Sequence, residues 1–241
     1  MSKLILCEGK TDAILLSYYL EQTCGWRHCK APATLAIKAD EKRGESAYWY
    51  QRNDECLLIC GVGGKDNFCN FFTMKIFPAI IDSSAFSKIA VVTDRDNRME
   101  TSICDSFRSI FNPVITNAAV NVWVSNDYCN SFGQQVAIDF LLLVVPADKE
   151  GALETLLLDA ISEDESDKII VNKSREYIEA IEPFAKKYIT KTRLKLKACL
   201  GVTWAVQYPE KIFSFIDDQI RSVKWEESEI LNNCFGELKK I

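Results

Sequence analysis

The stretch "KLILCEGKTD", Lys3 to Asp12, sets the fold. Five residues, Lys3 to Cys7, read as a short buried strand. The chain then turns at Glu8-Gly9 and enters a helical pattern, with apolar Ala13, Ile14, Leu16, Tyr18 and Leu20 between Lys10 and Gln22. A core strand gains nothing by ending in a carboxylate, so this strand-to-helix turn is the first place to look for chemistry.

The unit recurs. "CLLIC" (Cys56–Cys60) is a second buried strand, and "GVGGKDN" follows it. A helix through Phe68, Phe71, Phe72 and Ile76 comes next, with a break or kink near Pro78. "KIAVVT" (Lys88–Thr93) is a third, followed by "DRDNR" and a helix from about Glu100 to Phe111. Strand-helix alternation with continuous apolar strands predicts a mainly parallel sheet flanked by helices, an α/β fold of Rossmann-like type. Val120, Val122 and Val124, then Phe140 to Val145, are expected as later strands of the same sheet. "AYWYQRND" (47–54) is expected as one side of a hairpin within a polar insertion, about 24–55. Beyond Val145 the spacing predicts helices over about 151–161, 173–188, 191–200, 210–222 and 226–239. The expected organisation is a core of residues 1–147 and a mostly helical region, 148–241, packed on it.

Composition narrows the chemistry. The 241 residues are 48% hydrophobic, enough to bury a substantial core. No apolar run is long enough to span a membrane. The first residues lack a signal-peptide pattern. Ten scattered cysteines, several inside apolar runs, are expected as reduced thiols in a cytoplasmic protein. Cys24, His28 and Cys29 are the nearest approach to a zinc cluster, without a fourth ligand at a familiar spacing. His28 is the only histidine, which disfavours Ser-His-acid triads and two-histidine metal motifs and points to carboxylates and lysines. The net charge of −5 argues against coating nucleic acid by bulk charge. One local stretch does run the other way: Lys186, Lys187, Lys191, Arg193, Lys195 and Lys197 contain no acid between them. Its ordinary reading is a solvated helix face; its functional one is a phosphate-contacting strip.

Ligands gather at the carboxyl ends of parallel strands. Here those ends carry Glu8-Gly9, then Gly61-x-Gly63-Gly64-Lys65, then Asp94-x-Asp96. Singly, a Glu-Gly is ordinarily a turn and an Asp-x-Asp a helix cap. Together at one sheet edge, Glu8, Asp94 and Asp96 repel one another, and a hard divalent cation such as Mg²⁺ would offset the cost. Asp12 lies on the first helical turn, either joining that edge or lending charge to the helix N-terminus. "GVGGKDN" has too few residues before its Gly-Lys pair to be a P-loop, yet its glycines permit close approach of a phosphate, with Lys65 beside them.

"EGKTD" after a first strand, a glycine-bearing second turn and "VVTDRD" closing a third together resemble the Toprim domain superfamily over roughly residues 1 to 125. That fold is shared by topoisomerases, bacterial primases, OLD-family nucleases and small ribosomal-RNA maturation nucleases. The resemblance implies a metal-dependent nuclease that hydrolyses DNA or RNA with Mg²⁺ or Mn²⁺. Glu8 would be the general acid or base, or a ligand, and Asp94 and Asp96 would hold the metal. Asp12 would match the second acid of the OLD-type first motif. Glu154 in "GALETLLLDAI" would be a further acid. Lys195 in "RLKLKACL" would be the catalytic lysine, with Lys191 and Lys197 as rivals. Gly9, Lys10, Gly63, Gly64 and Lys65 would line the phosphate. These residues carry no nucleophilic-tyrosine domain, zinc-binding region or P-loop, so the closest resemblance is to small stand-alone Toprim-like and OLD-like proteins. The alternatives are a nucleotidyl or phosphoryl transferase on the same ions, or a non-catalytic, partner-activated nucleic-acid-binding subunit. That last reading pairs it with an ATPase or other protein, for example as a phage-defence effector.

Overall fold

Period-two alternation divides each central strand between two cores. Leu4 and Leu6 face one side of the sheet while Ile5 and Cys7 face the other, and Leu57 to Cys60, Ile89 to Val92 and Phe140 to Val145 alternate likewise. The computed structural model describes residues 1–33, 35, 37–211, 220–221 and 223–241. Among these, seven strands form one sheet: β1 (Ser2–Cys7), β2 (Arg27–Cys29), β3 (Ser46–Arg52), β4 (Glu55–Gly61), β5 (Phe86–Asp94), β6 (Trp123–Cys129) and β7 (Gln135–Val145). Their order is β2-β3-β4-β1-β5-β7-β6. The inner four, β4-β1-β5-β7, are parallel. Antiparallel pairings extend both edges: β2 on β3 and β3 on β4 at one side, β6 on β7 at the other. The fold is thus α/β with a mixed sheet whose core strands are parallel.

The helices that flank the sheet among the described residues include α1 (Lys10–Cys24), α2 (Phe68–Phe71), α3 (Phe77–Ser83), α4 (Glu100–Phe111), α5 (Leu153–Ile161), α6 (Glu165–Ile181) and α7 (Thr192–Gln207). Apolar residues of α1 and of α5–α7 cover one face of the sheet, in one cluster. Those of α2 to α4 cover the other. The region after residue 147 therefore shares a core with α1. Strands β1, β4 and β5 all deliver their carboxyl ends to one edge, where Cys7 pairs with Gly61 on one side and Val92 on the other.

Several boundaries differ from expectation. The alternating valines lie largely outside β6, which starts at Trp123; Val120 makes only an isolated bridge to Leu142. The helix expected at 173–188 is α6, beginning at Glu165. Asp164 caps it, accepting from the N–H groups of Ser166 and Asp167, and the acids of its first turn suit the helix dipole. The expected helix at 191–200 continues to Gln207. The break near Pro78 is a π-helical turn, Phe72–Ile76, just before α3. Of the helix expected at 210–222, Pro209–Lys211 form a 3₁₀ turn, and 212–219 and 222 lie outside the described residues. At the C-terminal end, a short helix (Glu229–Phe235) passes into a 3₁₀ turn (Gly236–Lys240).

Candidate active site: four carboxylates around a guanidinium

Glu8 follows β1 and is 2% exposed. Its Oε1 accepts from the Thr93 hydroxyl and from the Asp94 N–H, both at 3.0 Å. The neighbouring parallel strand thereby fixes the carboxylate and leaves Oε2 to face the cleft. Asp94 closes β5, equally buried, and its Oδ1 accepts from the Leu153 N–H at 2.9 Å, at the N-terminus of α5. Glu154 is the next residue of that helix. Asp12, on the first turn of α1, accepts from the Gly9 N–H at 3.0 Å. Glu8, Asp12 and Glu154 line one cleft of about 360 Å³ with Gly44, Gly63, Gly64, Arg193 and Lys197.

Arg193 stands among these acids. Its Nη1 donates to Glu8 Oε2 at 3.2 Å. Its Nη2 lies 2.9 Å from Asp94 Oδ2, out of line for a hydrogen bond, so that buried oxygen has none. Its Nε is 3.9 Å from Glu154 Oε2, another buried oxygen without a hydrogen bond. Lys197 lies 3.6 Å from Glu154 Oε1. Four carboxylates thus face two cations. Burial, reinforced by the charge of Glu8, pushes the Asp12 carboxyl up to about 7. The same causes, in the same order, push Asp94 up to about 8, against the opposing pull of Arg193. Desolvation would lower the pKa of Arg193, but Asp94, Glu8 and Glu154 outweigh it and hold the guanidinium more firmly charged than usual. A cation at the N-terminus of α7 opposes the helix dipole, so the acids account for its place there.

The chain matches, over residues 2–236, a family described as "Protein of unknown function (DUF3226)". It belongs to the DUF3226 family. Among solved structures, the hypothetical protein PH0156 from Pyrococcus horikoshii OT3 aligns with 99% of this chain and 100% of its own, at 18% identity and a TM-score of 0.47. No curated protein matches.

In this DUF3226 chain the structure brings together Glu8, Asp12, Asp94 and Glu154, and it gives two other expected site residues ion-pair partners of their own. Asp96 pairs with Lys65. It has φ +53° and joins Gly151 through two backbone hydrogen bonds. Lys195 pairs with Glu182 at 2.8 Å. Successive helical residues step about 100°, so Arg193 and Lys197 share a face of α7 that Lys195, two residues on, does not. That spacing was the signal for Arg193 within the basic stretch. Lys10 is exposed on the first turn of α1. Gly9 starts that helix, and the Gly64 N–H donates to the Glu8 carbonyl at 2.7 Å. Gly63, at φ +86°, lies so close to the Arg43 carbonyl that a Cβ would collide with it. The insertion thus returns to the site, and its Gly44 forms part of the cleft wall.

Among the described residues no three His, Cys, Asp or Glu groups are arranged as a metal site. The nearest candidates by charge, Glu8, Asp94 and Glu154, all face the Arg193 guanidinium.

Proposed function

We propose that this protein is a Mg²⁺- or Mn²⁺-dependent phosphodiesterase acting on nucleic acid. The observation that carries the reading is the convergence of Glu8, Asp12, Asp94 and Glu154 on one sheet edge, with buried oxygens of Asp94 and Glu154 left without hydrogen bonds. An all-oxygen, carboxylate-rich donor set suits a hard divalent cation. We assign Glu8, Asp94 and Glu154 to hold it, with Asp12 in support. Bound there, the cation would supply Lewis-acid charge at a phosphoryl oxygen.

The chain's own groups do the rest. Thr93 and the Asp94 N–H orient Glu8, and the Leu153 N–H orients Asp94. In this reading Arg193 gives up its carboxylates and, with Lys197, offers positive charge to the phosphate, where it stabilises developing negative charge. The glycine turn Gly63-Gly64 keeps side chains out of the approach. The Toprim resemblance points the same way. The test is incubation with single- and double-stranded DNA and RNA, in Mg²⁺, Mn²⁺ or EDTA. Metal-dependent cleavage should fall roughly 100-fold or more in Glu8→Gln and Asp94→Asn. Cleavage unchanged in both variants would remove the site assignment, and no cleavage of any substrate would remove the reading.

A further inference from the structure

The connection from α6 to α7, residues 182–191, reads "EPFAKKYITK". Phe184 is 90% exposed and Tyr188 69% exposed. A lone exposed aromatic carries no message. Here two rings share a short connection with Lys186, Lys187 and Lys191, none of which has a carboxylate partner among the described residues. The Lys187 ammonium lies over the Tyr188 ring, 4.8 Å from its centre. From Lys186 to Lys197 there are six cations and no acid, in a chain of net charge −5. Lys195 and Lys197 are held by Glu182 and Glu154, so the unpaired charge sits on the connection itself.

The connection also leads to the acidic site. Lys191 and Thr192 line a cleft of about 690 Å³ with Asp96 and Gly151, and Arg193 borders both this cleft and the one holding Glu8. A volume of that order lies in the range that encloses small ligands.

We propose that the α6–α7 connection is a docking platform for single-stranded nucleic acid. Phe184 and Tyr188 stack on bases, and Lys186, Lys187 and Lys191 take the phosphates, so that the strand is led past Arg193. Rings need an accessible base face, which a duplex hides within its stack, while unpaired lysines answer the backbone charge. The direction of the strand rests on the phosphodiesterase reading; binding itself does not.

The test is fluorescence anisotropy with labelled oligothymidylate, oligouridylate and a duplex, using the full chain in EDTA. Either single strand should bind more tightly than the duplex. Phe184→Ala and Tyr188→Ala should each weaken binding by about 5- to 150-fold. Replacing both Lys186 and Lys187 by Ala should flatten the salt dependence, lowering the slope of log K against log salt by about 1.4. Binding unchanged in the aromatic variants overturns the platform. Duplex binding as tight as single-strand binding does so too, as does capture by phosphatidylserine vesicles in place of oligonucleotides. A parallel cleavage arm in Mg²⁺ or Mn²⁺, with the wild type and Glu8→Gln, separates the two readings. Platform-dependent binding without cleavage by the wild type keeps the platform and removes the phosphodiesterase. Cleavage with platform-independent binding does the reverse.

Discussion

Replacing Arg193 by Gln should destabilise the metal-free protein and make it more responsive to magnesium. The guanidinium is 38% exposed, and it faces Glu8 and Asp94, each nearly out of solvent. Removing one partner of a fully buried pair costs about 3–5 kcal/mol. Solvent screening at a partly exposed arginine reduces that, and about 2 kcal/mol is the expected loss. In a chain of this size such a loss lowers the melting temperature by about 4–8 °C. The size of the loss depends on pH. At pH 8 Asp12 is mostly ionised and Asp94 about half so, and both lose the arginine's opposing pull in the variant; at pH 5 both are protonated and the loss shrinks. On the proposed reading, magnesium would have to displace Arg193 in the wild type and would have nothing to displace in the variant. At ten times its dissociation constant a ligand adds about 1.4 kcal/mol. That gain should therefore appear in Arg193→Gln at lower Mg²⁺ than in the wild type. Thermal melts at pH 5 and pH 8, with EDTA or graded Mg²⁺, measure all of this. A variant that melts with the wild type at pH 8 in EDTA, and gains no more from Mg²⁺, would refute the reasoning.

The same charges give the wild type a pH signature. Asp12 and Asp94 rise from an ordinary 3.8 to about 7 and about 8, so the folded state binds more protons than the unfolded one across that window. Stability should fall as pH rises from about 4 to about 8 and level off above it, by at most roughly 4 kcal/mol for Asp12 alone. Urea midpoints in EDTA would show the slope, and saturating Mg²⁺ should flatten it. Lys195→Ala should leave cleavage within about twofold of wild type, because a surface pair such as Lys195–Glu182 contributes little. Lys197→Ala should lose more, since Lys197 faces Glu154 in the cleft; equal losses would undo the assignment of faces on α7. Lys75→Met should strand the Glu45 carboxylate, whose side chain is 1% exposed and paired with Lys75. About 3 kcal/mol of lost stability is expected in urea unfolding, and a change under about 1 kcal/mol would contradict the pairing.

The central strands were legible in the sequence because each is a continuous apolar run closed by a glycine, an acid or, after Val145, a proline. Burial on both faces leaves such runs little choice of structure. Boundaries failed where tertiary contacts decide. The acid-rich "SEDESDK" (162–168) lies between the helices expected at 151–161 and 173–188, where Asp164 caps α6 and Glu165 opens it. Glu8 and Asp94 were legible for the same reason as the strands they follow. An Asp-x-Asp pattern cannot show the left-handed backbone at Asp96, nor its pairing with Lys65. Lys195 was chosen from a motif, whereas helix geometry favours the pair four residues apart, Arg193 and Lys197. The approach of Gly44 to the cleft was not legible, since it depends on the insertion folding back over Gly63.

Titration of Mn²⁺ followed by its paramagnetic resonance signal tests the central claim most directly, because it asks for cation binding without asking for turnover. The carboxylate site predicts saturable binding by the wild type, tighter binding by Arg193→Gln, and loss of that binding in both Glu8→Gln and Asp94→Asn. The same stoichiometry and affinity in all four proteins would contradict it.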